Sequence, residues 1–332
     1  MNLVSTLGID SAKNTFSVHG VSNTGEVVLR RTVPRAKLVE LVAQLSPRLI
    51  GMEACSGAHE WARRFSRFDY SVKLMAPKFV APYRKSGKND GNNAEAICEA
   101  VTRPNMRFVP VKSVEQQADL GLHRVRQGFV EERTGTLNRI RGLLAEFGYV
   151  LPNGPEHIRR AVPAIIEELP ARIARCVRDL LEHAERLGAK MLEYEQEIRL
   201  AVRDNELARR AQIRQGIGPI TASALVATVG NGHDFKNGRQ FAAWLGLVPR
   251  QYSTGGKTRL GHITKRGDPY LRTLFVMGAR SVLQRAQRET APLSRWAAAV
   301  QARRGYHRAC VAVAAKNARV AWALLAKQTM AA

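Results

Sequence analysis

Along the first 112 residues, apolar positions fall in short runs, several of them alternating, separated by polar turns. Leu3–Ile9 is one such run, ending at Asp10, and Phe16–Val21 and Glu26–Val33 follow with β-branched or aromatic residues. Short polar links, one containing Asn23-Thr24-Gly25, predict turns between three consecutive strands. Lys37–Leu45 then carries Leu38, Leu41, Val42 and Leu45 at helical spacing before Pro47. A short strand over Leu49–Met52 ends at Glu53, a helix is expected over Ala58–Phe68, and another strand over Val72–Met75. Asn92–Val101 reads as a helix and Phe108–Val111 as an edge strand, because Pro110 cannot donate to a ladder. Antiparallel strands followed by alternating helices and strands predict a mixed α/β domain over residues 1–112.

From residue 113 the period lengthens. Leu137, Ile140, Leu144 and Phe147 recur at steps of three and four. After a break at Leu151–Pro155, Pro170 is placed as the first residue of a second long helix. That helix carries Ile173, Cys176, Leu180, Ala184, Leu187, Met191, Tyr194 and Ile198, a coiled-coil-like seam. Residues 113–205 are therefore read as a long-helix coiled-coil region, and we expect the seam to support dimerisation. Packing on its own hairpin partner would give the same pattern. In Gln215–Gly230, Gly216-Ile217-Gly218 followed by Thr221 as a cap and an apolar helix is like half of a helix-hairpin-helix, whose glycines present amides to phosphate. Tyr270–Ala286 and Arg308–Leu325 complete a mainly helical segment over residues 206–332.

Charge changes this picture from architecture to partner. The chain has 332 residues and a net charge of +24. Residues 1–112 hold 17 cations against 9 acids, residues 113–205 hold 14 against 15, and residues 206–332 hold 21 against 4. A surplus of +17 in the last segment, beside a neutral middle, is the footprint of a polyanion, and nucleic acid is the expected partner. No run of about 18 apolar residues and no cationic leader pattern appear, so no membrane partner is expected. Cys55, Cys98, Cys176 and Cys310 lack ligand spacing and read as reduced cytoplasmic thiols.

The chemistry concentrates in Pro249–Arg272, PRQYSTGGKTRLGHITKRGDPYLR. Ser253 precedes Thr254, Gly255 and Gly256, among Arg250, Lys257, Arg259, Lys265 and Arg266, with Asp268 the one acid. Glycines let backbone amides approach an anion and the cations match phosphate oxygens, so this is a phosphate-binding loop with a hydroxyl in it. Elsewhere, Asp10 and Glu53 each end an apolar strand, and Asp90 precedes a helix. In an RNase H-like domain, carboxylates so placed converge to hold divalent metal against a phosphate.

These residues carry a resemblance. GIDSAKNTFSVHG around Asp10, GMEACSGAHEWAR around Glu53, APKFVAPYRKSGKNDGNNAEAICEA around Asp90 and GLVPRQYSTGGKTRLGHITKRGDPYLR around Ser253 occur in this order. The chain thereby resembles, over nearly its whole length, the DEDD-type insertion-sequence transposases, the IS-one-ten group that includes the Piv DNA invertase. The resemblance implies a RuvC-like RNase H-fold domain, a coiled-coil region and a C-terminal transposase domain. It also implies a recombinase guided by a structured bridge RNA that pairs with target and donor DNA, working as a dimer or tetramer in the bacterial cytoplasm. Asp10, Glu53 and Asp90 match the first three acids, magnesium is the implied metal, and Ser253 matches the nucleophile. The fourth acid of the pattern falls at Asn93, which offers at most one neutral oxygen. Asn93 is read either as a natural weak variant or as an engineered aspartate-to-asparagine change that silences cleavage, with the engineered change favoured as a minimal way to trap a complex before reaction. Two other readings stay open: a hydrolytic RuvC-like nuclease such as a junction resolvase, and a nucleic-acid-binding protein without catalysis.

Overall fold

In the computed structural model, which describes residues 3–85, 87 and 89–327, the chain divides into two compact units between Ser113 and Val114.

The first unit is built on a six-stranded sheet. Strands β1 (Thr6–Ser11), β2 (Thr15–Val21) and β3 (Val27–Pro34) form an antiparallel meander. Helix α1 (Leu38–Leu45) returns the chain to β4 (Leu49–Glu53), which lies parallel to β1. Helix α2 (Ala58–Ser66) leads to β5 (Ser71–Met75), parallel to β4. A single helical turn α3 (Pro77–Val80), helix α4 (Asp90–Val101) and the two-residue edge strand β6 (Phe108–Val109) close the unit. The order β3-β2-β1-β4-β5-β6 is consistent with the expected RuvC-like arrangement. The predicted last strand is shorter than expected, because Pro110 ends the ladder.

Alternation along the strands sorts the two faces. Leu7, Ile9, Phe16, Val18, Ile50, Met52 and Leu74 face α1 and α2, where Leu38, Val42, Trp61, Ala62 and Phe65 close the core. The opposite face receives α4, whose Ile97, Ala100 and Val101 pack with Met75 and Val80.

The second unit starts with α5 (Val114–Ala145), α6 (Pro155–Glu168) and α7 (Ala171–Asp204). Short α8 (Glu206–Gln212), α9 (Pro219–Val229) and α10 (Gly238–Trp244) follow. A two-stranded hairpin of β7 (Pro249–Gln251) and β8 (Leu260–Ile263) precedes α11 (Pro269–Arg285), α12 (Pro292–Arg304) and α13 (Tyr306–Ala326). The long-helix region and the basic last segment share this unit, since α9 packs on both α5 and α7.

The seam of α7 is filled within the chain: Ala174, Val177 and Ala184 meet Leu137, Ile140 and Leu144 of α5, with Ile158, Val162 and Ile166 of α6 alongside. Helix α6 was not anticipated, because Pro155, Pro163 and Pro170 punctuate its pattern. It forms with Pro155 at its first turn and tolerates Pro163 inside. Three local expectations are corrected. Pro170 caps α7 rather than beginning it; Cys176 is exposed, with Val177 on the seam instead; and Thr221 is buried inside α9, which is capped by Gly218.

By length and composition, α13 could cross a membrane. Its Ala309, Val313, Ala314, Ala318 and Ala321 nevertheless belong to the core of this unit, together with Phe275 of α11 and Phe241 of α10.

A polar chain crosses the unit's interior. His123 of α5 is 1% exposed, and its Nδ1 lies 3.0 Å from Tyr270 Oη and its Nε2 3.0 Å from Ser223 Oγ. Burial pushes His123 down to about 4, so the ring is neutral. Between pH 6.5 and 4 the unfolded chain takes up a proton that the folded one refuses, so stability falls as pH falls through that window. Replacing His123 by Asn should flatten the acid limb of a denaturation-midpoint profile, removing roughly 3 kcal/mol of pH-dependent loss by pH 4. An unchanged acid limb would refute this account.

Candidate active site

The acidic site begins with glycines. Gly8 of β1 and Gly51 of β4 are direct register partners, and both face α4. A Cβ on Gly8 would stand 2.3 Å from Ala94 O and 2.6 Å from Cys98 N; one on Gly51 would stand 2.9 Å from Val101 Cβ. Helix α4 therefore rests on bare backbone. Two residues further along each strand, on the same face, come Asp10 and Glu53. Because Ile9 pairs with Met52, these two half-buried acids occupy adjoining positions at the strand ends. A contact between Ser11 Oγ and Cys55 Sγ at 2.9 Å ties the same two ends together one step on.

The N-terminus of α4 completes the group. Asn89 Oδ1 accepts from Asn92 N at 2.7 Å and sets the start of the helix. Asp90 is thus the first helical residue, exposed, with Asn93 three residues later on the same face. Asn93 Nδ2 donates to Asp10 Oδ2 at 3.2 Å. The structure accordingly brings Asp10, Glu53 and the Asn93 turn to one end of the sheet. Among the described residues no three His, Cys, Asp or Glu side chains form a group able to hold a metal. Beside Asp10 stands the Asn93 amide. Its N–H supplies the positive partner that a cation would supply, and the surrounding donors are oxygens, the preference of a hard divalent ion.

On the same face, Ser17 pairs with Asp10 across β1 and β2, and Thr32 pairs with Ser17 across β2 and β3. The row thus runs Thr32, Ser17, Asp10, Glu53. Under α4, burial holds His19 below its ordinary pKa and pushes the Cys98 thiol up to about 11.

Ser253 lies in the second unit, in the loop of the β7–β8 hairpin. Gly255 and Gly256 have φ of 54° and 76°, and Thr254 bridges Lys257, the signature of a two-residue turn with both central residues left-handed. A Cβ at either glycine would meet nothing within 4 Å, so the turn needs glycine for its dihedrals while its surroundings stay open. Ser253 Oγ accepts from Gln251 Nε2 at 2.9 Å, and every residue from Arg250 to His262 is exposed.

The base of the hairpin is close-packed by contrast. A Cβ on Gly267 would lie 1.8 Å from Trp244 O, and one on Gly246 2.7 Å from Arg266 N. Asp268 Oδ1 accepts from Leu271 N at 3.0 Å, capping α11, and Arg272 Nη1 donates to Leu245 O and Gly267 O. The acid in the basic stretch is thereby committed to holding the frame. Arg250, Lys257, Arg259, Lys265 and Arg266 all present exposed side chains around it.

The glycine turn at 216–218 divides. Gly216 has φ of 87° and faces inward, where a Cβ would meet Val282, Asn317 and Gly278. It serves packing between α9, α11 and α13. Gly218 caps α9 with open space around it.

Sequence comparison joins these two halves. A DEDD-type IS110 transposase domain matches residues 7–148, and the Transposase IS116/IS110/IS902 family matches residues 208–294. A probable family 20 transposase of Pseudomonas aeruginosa is 47% identical over 99% of this chain and 98% of its own length. The chain belongs to the IS110/IS116/IS902 transposase family. The transposase for insertion sequence element IS1111A of Coxiella burnetii is 41% identical over 99% of this chain and 91% of its own. That for IS1328 of Yersinia enterocolitica is 40% identical over 98% of each. Transposases of this family cut and transfer DNA strands.

Gly8 and Gly51 escaped the reading of motifs, although the sequence offers a signal: glycine stands two residues before the acid in both Gly8-Ile9-Asp10 and Gly51-Met52-Glu53. Gly8→Ala should lower the melting temperature markedly, with a penalty of about 3 kcal/mol from overpacking against α4 backbone. Gly25→Ala, in an open turn with φ of 88°, serves as the comparison for strain without crowding. Equal losses at the two positions would show that α4 does not depend on the bare backbone.

Proposed function

We propose that this transposase exchanges DNA strands through a covalent serine–DNA intermediate, with the acids of the sheet end assisting and a guide RNA choosing the sites. The observation that carries this reading is the contact between Asn93 and Asp10, which sets the first turn of α4 over the strand ends bearing Asp10 and Glu53. The exposed, glycine-turned hairpin supports Ser253 as the attacking group, since a nucleophile for a DNA phosphate must stand clear of its own fold.

In this mechanism Ser253 Oγ bonds to the scissile phosphorus and the bond to one deoxyribose oxygen breaks. The serine's proton passes through solvent to the departing oxygen, which leaves as a hydroxyl. Arg250, Lys257, Arg259, Lys265 and Arg266 hold the phosphate oxygens by charge-assisted hydrogen bonds, with Thr254 and the open Gly255-Gly256 turn beside them. The hydroxyl of a second strand then attacks the phosphoserine, restoring the serine and joining new partners without an outside energy source. Asp10, Glu53 and Asp90 would hold a divalent cation, magnesium by donor chemistry, with position 93 beside them. Bound there, the ion supplies Lewis-acid stabilisation of charge on the phosphate oxygens. Base pairing to RNA accounts for selectivity in a protein whose cations address backbone rather than bases. Assembly as a dimer or tetramer, in the cytoplasm, completes the proposal.

Asn93 weakens this site, because an amide cannot neutralise a cation as a carboxylate does. Asn93→Asp places a second carboxylate against Asp10, and like charges at that range repel unless a cation lies between them. The variant should melt below the parent chain in chelator and gain more than the parent on adding magnesium. It should also form a protein–DNA adduct that survives denaturing electrophoresis. The same variant carrying Ser253→Ala should form none; an adduct there would move the nucleophile elsewhere. Free DNA ends with no adduct from the serine-intact variant would instead indicate hydrolysis by water.

A further inference from the structure

Beside the acid row a groove of about 310 Å³ opens between β2, β3 and the first turn of α4. Ser17 and Thr32 lie along it, their hydroxyls 3.2 Å apart, and Arg30 stands at its margin. These are the strand positions that continue the row from Asp10 outward. The acid in the groove is Glu95, and it is engaged twice: Arg30 Nη2 lies 3.3 Å from Oε2 and Lys85 Nζ 2.9 Å from Oε1. The two cations remain 64% and 75% exposed at their side chains, while Glu95 is 25% exposed. One recessed carboxylate thus holds two projecting cations over a pair of hydroxyls.

We propose that this groove seats a phosphodiester of the nucleic-acid strand, on the strand positions that continue outward from Asp10. The inference rests on the reading of Asp10 and Glu53 as the reacting site, and it assigns work to residues on which that reading is silent. Hydroxyls and an arginine fork suit phosphate oxygens, and the groove's lining is mostly polar, with Ser17, Thr32, Arg30, Arg31, Asn92 and Glu95 along it. Neighbouring strands lie about 4.8 Å apart, so Ser17 and Thr32 stand one and two strand spacings from Asp10. A backbone crossing the sheet end toward β3 passes directly over them. Glu95 keeps Arg30 and Lys85 gathered at the margin, and an arriving phosphate takes the cations over from it.

The test is binding of the full-length chain to single-stranded DNA and to RNA of the same sequence, by fluorescence anisotropy across a salt series without divalent metal. Arg30→Gln should weaken binding about tenfold and lower the slope of log affinity against log salt by about one. Glu95→Gln should tighten binding severalfold, because it removes the acid that competes with phosphate. Arg67→Gln and Glu26→Gln, the same charge changes outside the groove, should stay within about twofold of the parent. Dependence seen with DNA assigns the groove to an exchanged strand, and dependence seen only with RNA assigns it to the guide. Equal effects of Arg30→Gln and Arg67→Gln on both nucleic acids would overturn the proposal. The adduct assay on the Asn93→Asp variant reads the covalent mechanism separately: its failure leaves the groove standing, and a silent Arg30→Gln leaves the mechanism standing.

Discussion

The first unit depends on the contact between α4 and a patch of sheet that has no side chains. Gly8 and Gly51 sit side by side on the two central strands, and α4 lies on them so closely that a methyl group would collide with helix backbone. Small residues on the helix side, Ala94 and Cys98, keep the approach short. Both glycines lie two residues before an acid, so the same alternation that turns the bare backbone toward α4 turns Asp10 and Glu53 toward its first turn. A single packing decision therefore sets the height of Asn93 over Asp10. It also buries Cys98 and His19, and that burial pushes the thiol up to about 11 and holds the imidazole below its ordinary value.

The second unit meets the opposite demand. The loop carrying Ser253 stands on a close-packed base and is yet wholly exposed. The Gly255-Gly256 turn fixes the hairpin tip by dihedral preference alone, without packing that would cover it. Rigidity is imported from below, where Gly267 and Gly246 interlock, Asp268 caps α11 and Arg272 ties both segments. From Tyr270, the second residue of α11, the polar chain through His123 to Ser223 anchors that frame to α5 and α9. With its burial-lowered pKa, His123 can accept or donate one hydrogen bond at each nitrogen without introducing charge.

Much of this was legible in the residues, and the gaps have physical causes. Strand ends carrying Asp10 and Glu53 follow from short apolar runs that stop at an acid, and the register of parallel strands then places them together. Helix α6 was hidden because prolines at 155, 163 and 170 break the periodic signal, although a proline is tolerated at a first turn and tertiary packing of Ile158, Val162 and Ile166 outweighs one inside. Cys176 and Val177 are adjacent and both apolar, so only the phase of packing on α5 decides which faces the seam. Gly216 and Gly218 look equivalent in Gly-Ile-Gly, yet one faces the interior and the other solvent, a distinction that depends on where α11 and α13 pass. The hairpin itself was concealed inside a stretch dominated by charge, whose strands bury almost nothing and leave no hydrophobic pattern.

Position 93 shows how geometry and charge can be separated at one site. An aspartate there would need a cation to hold it within hydrogen-bond distance of Asp10, since two carboxylates repel at that range. Asparagine has nearly the same shape and brings its own donor, so the first turn of α4 stays over the strand ends by an ordinary hydrogen bond. The arrangement is thereby made independent of metal, and the negative charge that would attract metal is reduced by one. A chain with this residue keeps the placement of Asp10 and Glu53 with one negative charge fewer at the sheet end. Shape is retained by the amide, and the charge an aspartate would add is absent.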